Sequence, residues 1–120
     1  LSELQIFTNR VNQSNFDAAL NYLTLFWDEK QAVARIRALR RNGVVERRAN
    51  DIVRASGGVP WGWDDPGVKR GLLKALSGKR LHPPLLVTHD EGLIIADGSH
   101  RVSLAYHLDP FMNIPVLLAS

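Results

Sequence analysis

The sequence predicts an α/β fold (α+β by some definitions), a small mixed β-sheet with packed helices behind a mostly helical N-terminal extension. Three observations predict it. Apolar residues recur at helical spacing through residues 14–41, residues 84–96 read as two short apolar strands around a turn, and a helix and a last strand follow in order. A chain of 120 residues that is 45% hydrophobic supports one domain with a real core and is short for two.

In the first stretch Phe16, Ala19, Leu20, Leu23, Phe26, Trp27, Val33, Ile36 and Leu39 follow one another with no Gly or Pro between them. One long helix, or two broken near Asp28, is expected. Ser14 or Asn15 is placed to cap its start, and Asn42-Gly43 supplies a left-handed stop. A second helix is expected over residues 45–55, ending at Ser56-Gly57-Gly58. Residues 57–67 are rich in turn formers and hold two of the three tryptophans, which marks a junction or a functional loop. Asp65-Pro66 then reads as an N-cap followed by proline at the first helical position, opening a helix to Leu76 that stops at Ser77-Gly78.

The strand over residues 84–88, the turn His89-Asp90-Glu91-Gly92 and the return over residues 93–96 make a hairpin. Helix 99–108, a loop and a last strand over residues 114–118 complete the chain. The expected division is a helical extension at 1–56 and a sheet domain at 57–120.

Composition narrows the chemistry. The absence of cysteine excludes a disulfide framework, a thiolate metal site and a cysteine nucleophile. His82, His89 and His107 have no recognised metal spacing, so no dedicated metal site is expected. A net charge of +3 suits an anionic partner without establishing one. No apolar run approaches the roughly 18 residues of a membrane span, so no membrane role is expected and cytoplasmic residence is the simplest expectation.

The chemistry concentrates at Asp97-Gly98-Ser99-His100-Arg101, where a strand passes through one glycine into a helix. A helix start presents unpaired N–H groups and a positive dipole end, and glycine lets a ligand approach the backbone. Gly98, Ser99, His100 and Arg101 are the candidate phosphate-binding residues, with Asp97, His100 and Arg101 the catalytic candidates and Glu91 a weaker base. Each has a structural alternative: Arg101 as the ion-pair partner of Asp97 or Asp109, Asp97 as a turn residue, Ser99 as a helix cap. Trp61 and Trp63 either stack on a nucleobase or anchor their loop to the core.

The order helix, Pro83-Pro84 entry into a strand at Leu85, hairpin, Asp97-Gly98-Ser99-His100-Arg101, helix and strand resembles the ParB/sulfiredoxin superfamily over about residues 59–119. Its most specific part is Ile95-Ala96 leading into that motif, with Ala105 and Ile114-Pro115-Val116 behind it. The resemblance implies a ParB/sulfiredoxin-like domain that holds a nucleotide, a nucleoside di- or triphosphate with Mg²⁺, by its phosphates at the motif's helix. Ser99 stands where the sulfiredoxin pattern has its reactive cysteine, which argues against sulfinic-acid reduction. The CTP-binding pattern Gly-Glu-Arg-Arg matches only at Gly98 and Arg101. The free serine kinase pattern Asp-Gly-His-His-Arg departs only at Ser99, and the motif is also similar to Ile-Ala-Asp-Gly-Tyr-His-Arg in uncharacterised bacterial ParB-like proteins.

The first functional expectation is thus a nucleotide-binding domain, with phosphoryl transfer or phosphoester hydrolysis as its reaction class. The rival is a non-catalytic DNA- or partner-binding module using Arg37, Arg40, Arg41, Arg47 and Arg48, which otherwise form a solvated surface paired with Asp28, Glu29 and Glu46. A third expectation is a homodimer formed through the apolar face of the N-terminal helices.

Overall fold

The computed structural model describes residues 6–90 and 92–120. Its elements run α1 (Gln13–Leu23), α2 (Glu29–Asn42), β1 (Val44–Arg48), α3 (Ala49–Ser56), α4 (Pro66–Leu76), β2 (Leu85–His89), β3 (Gly92–Asp97), α5 (Ser99–Leu108) and β4 (Asn113–Ala119). The four strands form one mixed sheet in the order β1-β4-β2-β3, with β4 parallel to β2 and the two outer pairings antiparallel.

The first helical stretch is two helices. Asp28 ends the continuity because its carboxylate accepts from the Gln31 N–H and so caps α2. The cap of α1 is Asn12 rather than Ser14 or Asn15, and Asn15 instead reaches back to accept from the Asn12 N–H at 2.9 Å. The stop at Gly43, the Asp65 cap with Pro66 in the first turn, and the hairpin lie where the sequence puts them.

The helix expected over residues 45–55 is half strand. Val44–Arg48 pairs antiparallel with β4, and helix begins only at Ala49. The β-branched pair Val44-Val45 satisfies its backbone on a partner about 70 residues away in sequence, a nonlocal gain that local periodicity does not register.

Helices cover both faces of the sheet. One core gathers Ile52, Val68, Leu86, Val102, Leu104, Ile114 and Val116 against α3, α4 and α5; the other gathers Phe16, Leu23, Ile36, Leu39, Leu85, Val87 and Leu117 against α1 and α2. Burial on both faces explains why β2 and β4 read as nearly continuous apolar runs. The apolar face of α1 and α2, expected to serve a homodimer, is buried in this second core. The segment before residue 57 therefore supplies one strand of the sheet, one of its two helical layers and, in α3, part of the other.

Candidate anion site at the start of the last helix

The site begins with an irregularity. Leu85 pairs with Asp97 but Leu86 pairs with Ile95, so β3 accommodates one extra residue, Ala96, against β2. Strict alternation would send Asp97 to the face of Leu93 and Ile95, which pack on the α3 to α5 side. The bulge lets it meet Asn15 of α1, on the opposite side of the sheet.

Gly98 follows with φ +99°, a conformation L side chains rarely adopt, and α5 starts at Ser99. A Cβ on Gly98 would lie 2.7 Å from the Arg101 guanidinium and 3.0 Å from the Pro84 Cα, so backbone and side chain close over this corner.

Arg101 closes it. Its Nη2 donates to Asp97 Oδ2 at 2.8 Å and its Nη1 to the His82 carbonyl at 3.0 Å, with Arg101 and Asp97 both largely buried. Asn15 Nδ2 donates to the same Asp97 oxygen at 3.2 Å, and Asn15 Oδ1 lies 2.9 Å from His82 Nδ1. The Asn15 oxygen can only accept, so His82 carries its proton on Nδ1. Burial lowers the His82 pKa below its ordinary value of 6.5; Arg101, Lys74 and Arg10 push the same way and Asp97 opposes them. His82 is accordingly a neutral link from α1 to the motif.

His100 takes a different direction. Its Nε2 is 3.2 Å from Asp65 Oδ2, an oxygen that also caps α4 through the Val68 N–H, and its ring stacks on Trp61 with centroids 5.3 Å apart. Trp61 is tied down three times: its N–H donates to Ser103 Oγ, its carbonyl accepts from His107 Nε2, and its indole donates to Ser99 Oγ at 3.3 Å. Trp63 packs on His107. The tryptophan loop is thus anchored on α5 by hydrogen bonds and ring contacts, while about half of the Trp61 surface stays exposed.

A cleft of about 650 Å³ ends at this helix start, within the usual range for small-molecule sites. Asp97, Gly98, Ser99, His100 and Trp61 line that end. Ser99 and His100 of the first helical turn line the space, whereas Arg101 is occupied at the corner by Asp97 and the His82 carbonyl. Proximity in sequence suggests one set of phosphate contacts from Gly98 to Arg101. The structure divides that set into Gly98, Ser99 and His100, which line the cleft, and Arg101, which holds the corner.

The other candidates lie elsewhere. Glu91 is outside the described residues. Arg37, Arg40 and Arg41 are exposed on α2 and Arg47 and Arg48 on β1. Arg40 is held by Gln13 and the Phe16 ring, and Arg48 by Asp51. Among the described residues no group of three or more His, Asp or Glu is placed to hold a metal ion, and no helix is long and apolar enough to cross a membrane. Sequence reasoning missed Asn15 and the role of Asp65 toward His100, because those contacts join residues 82 and 35 positions apart. The chain matches no family model, no curated protein and no solved structure.

Proposed function

We propose that this chain binds a phosphate-bearing small molecule, a nucleotide by its resemblance to the ParB/sulfiredoxin superfamily, at the start of α5. The observation that carries the proposal is the cleft ending on the Gly98-Ser99-His100 turn. There the helix's first N–H groups have no intrahelical partner and the dipole is positive, so an anion gains hydrogen bonds without displacing any made within the helix. Ser99 Oγ, 3.3 Å from the Trp61 indole nitrogen, adds a hydroxyl that can turn toward a phosphate oxygen. His100 sits at the rim with its Nε2 toward Asp65. Any Mg²⁺ would enter on the nucleotide's own phosphates.

The geometry favours binding over turnover. Phosphoryl transfer needs a group to accept a proton from the nucleophile. Among the described residues the acids at the helix start are engaged: Asp97 with Arg101 and Asn15, and Asp65 with His100 and the α4 cap. Arg101 contributes by holding Asp97 and the turn in place. The DNA-binding alternative draws on Arg37, Arg40, Arg41 and Arg47, since Arg48 is ion-paired with Asp51 while the partners of Arg40 (Gln13 and the Phe16 ring) and of Arg47 (the Glu46 carbonyl) are neutral.

Ser99→Asp separates binding from folding. An acid in the first turn of α5 stabilises the helix dipole by about 0.3–1 kcal/mol, yet it occupies and repels the anion position. Calorimetry with ATP, ADP, CTP and GTP, with and without Mg²⁺, is expected to show binding to the wild type and none to Ser99→Asp. Equal binding by both proteins, or by neither, would refute the assignment. Steep salt-dependent retention of DNA by a wild type that ignores nucleotides would favour the arginine surface instead.

A further inference from the structure

Among the described residues the sheet has two open edges, and they are built differently. The outer edge of β1 carries Glu46, Arg47 and Arg48, the charged residues that commonly blunt an edge against strand pairing. The outer edge of β3 runs Leu93-Ile94-Ile95-Ala96 with neither charge nor proline, and its irregularity lies at the α5 end. Every residue from Leu93 to Gly98 lines the 650 Å³ cleft. Because successive strand residues face opposite sides of a sheet, lining by all four of Leu93, Ile94, Ile95 and Ala96, which precede the irregularity, means that the backbone edge, and not one face, forms the floor.

The floor has two walls. Tyr22 and Phe26, at and just beyond the end of α1, line the cleft from the α1 side of the sheet, and Val53 of α3 and Trp61, bonded to α5, line it from the other, with Val59 beside them in the lining. Tyr22, Phe26, Val59 and Trp61 are all strongly exposed for residues of their size. The result is an apolar trough whose base is a strand edge that no other described strand pairs, with the positive end of α5 at one end.

We infer that this trough takes an extended peptide as a fifth strand, paired on β3, with alternate apolar side chains on the two walls and an acidic group at the start of α5. Main-chain hydrogen bonds to an open edge supply affinity in this mode, and side-chain pockets supply selectivity. The walls argue for one slim strand and against a second copy of the chain: two walled edges facing each other would meet wall to wall before their floors came within the ~4.8 Å of paired strands. The acidic end follows from charge complementarity with the first turn of α5. For that end alone the inference rests on the anion reading above; the strand pairing is independent of it.

Eight-residue peptides selected from a random displayed library against the immobilised chain, then synthesised, supply the probe. The expected consensus alternates β-branched or aromatic residues and places Asp or Glu at one end. In the complex, the groove-facing amides among Leu93, Ile94 and Ile95 should exchange with solvent at least tenfold more slowly. N-methylation of alternate peptide nitrogens should weaken binding at least tenfold. Recovery of no binding peptide, binding that leaves those amides unprotected, or a concentration-dependent dimer in which they are already protected overturns the inference. If a peptide protects β3 but neither nucleotides nor Ser99→Asp affect anything, the strand site stands and only the anion reading falls.

Discussion

Replacing Gly98 by alanine tests the corner on which the site depends. The substitution meets two obstacles. At φ +99° a Cβ costs about 1–2 kcal/mol in backbone strain. The new methyl would also sit 3.0 Å from the Pro84 Cα and 2.7 Å from Arg101 Nη2. Pro84 cannot yield freely, because its carbonyl accepts the Leu117 N–H that joins β2 to β4. Arg101 must therefore withdraw, loosening bonds to Asp97 and the His82 carbonyl of a kind worth about 1.5–3 kcal/mol each. Allowing for relaxation, the expected loss is about 3–5 kcal/mol, a large part of the total stability of a domain this size.

Gly43→Ala is the matched control. Gly43 has φ +73° and nothing within 4 Å of the place its new methyl would take, so only the backbone strain applies. Both changes restrict the unfolded chain equally, and that contribution cancels in the comparison. Urea unfolding followed by tryptophan fluorescence should place Gly98→Ala at least about 2 kcal/mol below Gly43→Ala. Equal losses would refute the claim that Arg101 and Pro84 close over the glycine.

Three further outcomes are expected. Ser103, 3% exposed, joins the Ser99 carbonyl to the Trp61 N–H, so Ser103→Ala should cost about 1–3 kcal/mol in urea unfolding and shift the tryptophan emission. Because the folded-state pKa of His82 lies below 6.5, the unfolded chain takes up a proton first as pH falls. Stability should then drop from pH 6.5 down through the folded-state value, and urea midpoints of His82→Gln should lack that component. A methyl on Gly67 would lie 2.5 Å from the His100 ring, so Gly67→Ala should free His100 from Asp65 and Trp61, visible in the imidazole NMR shifts. Its stability should stay within about 1 kcal/mol of wild type, because alanine favours the α4 helix.

What was legible in the sequence was local. The Asp28 break, the Asp65-Pro66 start and the passage from β3 through Gly98 into α5 each depend on a few adjacent residues whose backbone preferences agree. β1 was not legible, since Val44–Arg48 is extended only because β4 lies beside it. The site divides the same way. Its motif was visible as five consecutive letters, whereas the roles within it depend on tertiary partners. The bulge at Ala96 turns Asp97 toward Asn15, and the Pro83-Pro84 entry brings the His82 carbonyl under Arg101. The tryptophan loop had two open readings, and contacts with Ser99, Ser103, His100 and His107 make it an anchor that still borders the cleft.

Backbone amide chemical shifts report on the proposed anion at the first turn of α5 without intermediary. Titration of the isotopically labelled chain with ATP and, separately, with inorganic phosphate should move the backbone amides of Ser99, His100 and Arg101 most, with the indole resonance of Trp61 following. Shifts confined to α2 and β1, or no shifts at millimolar ligand, would contradict it.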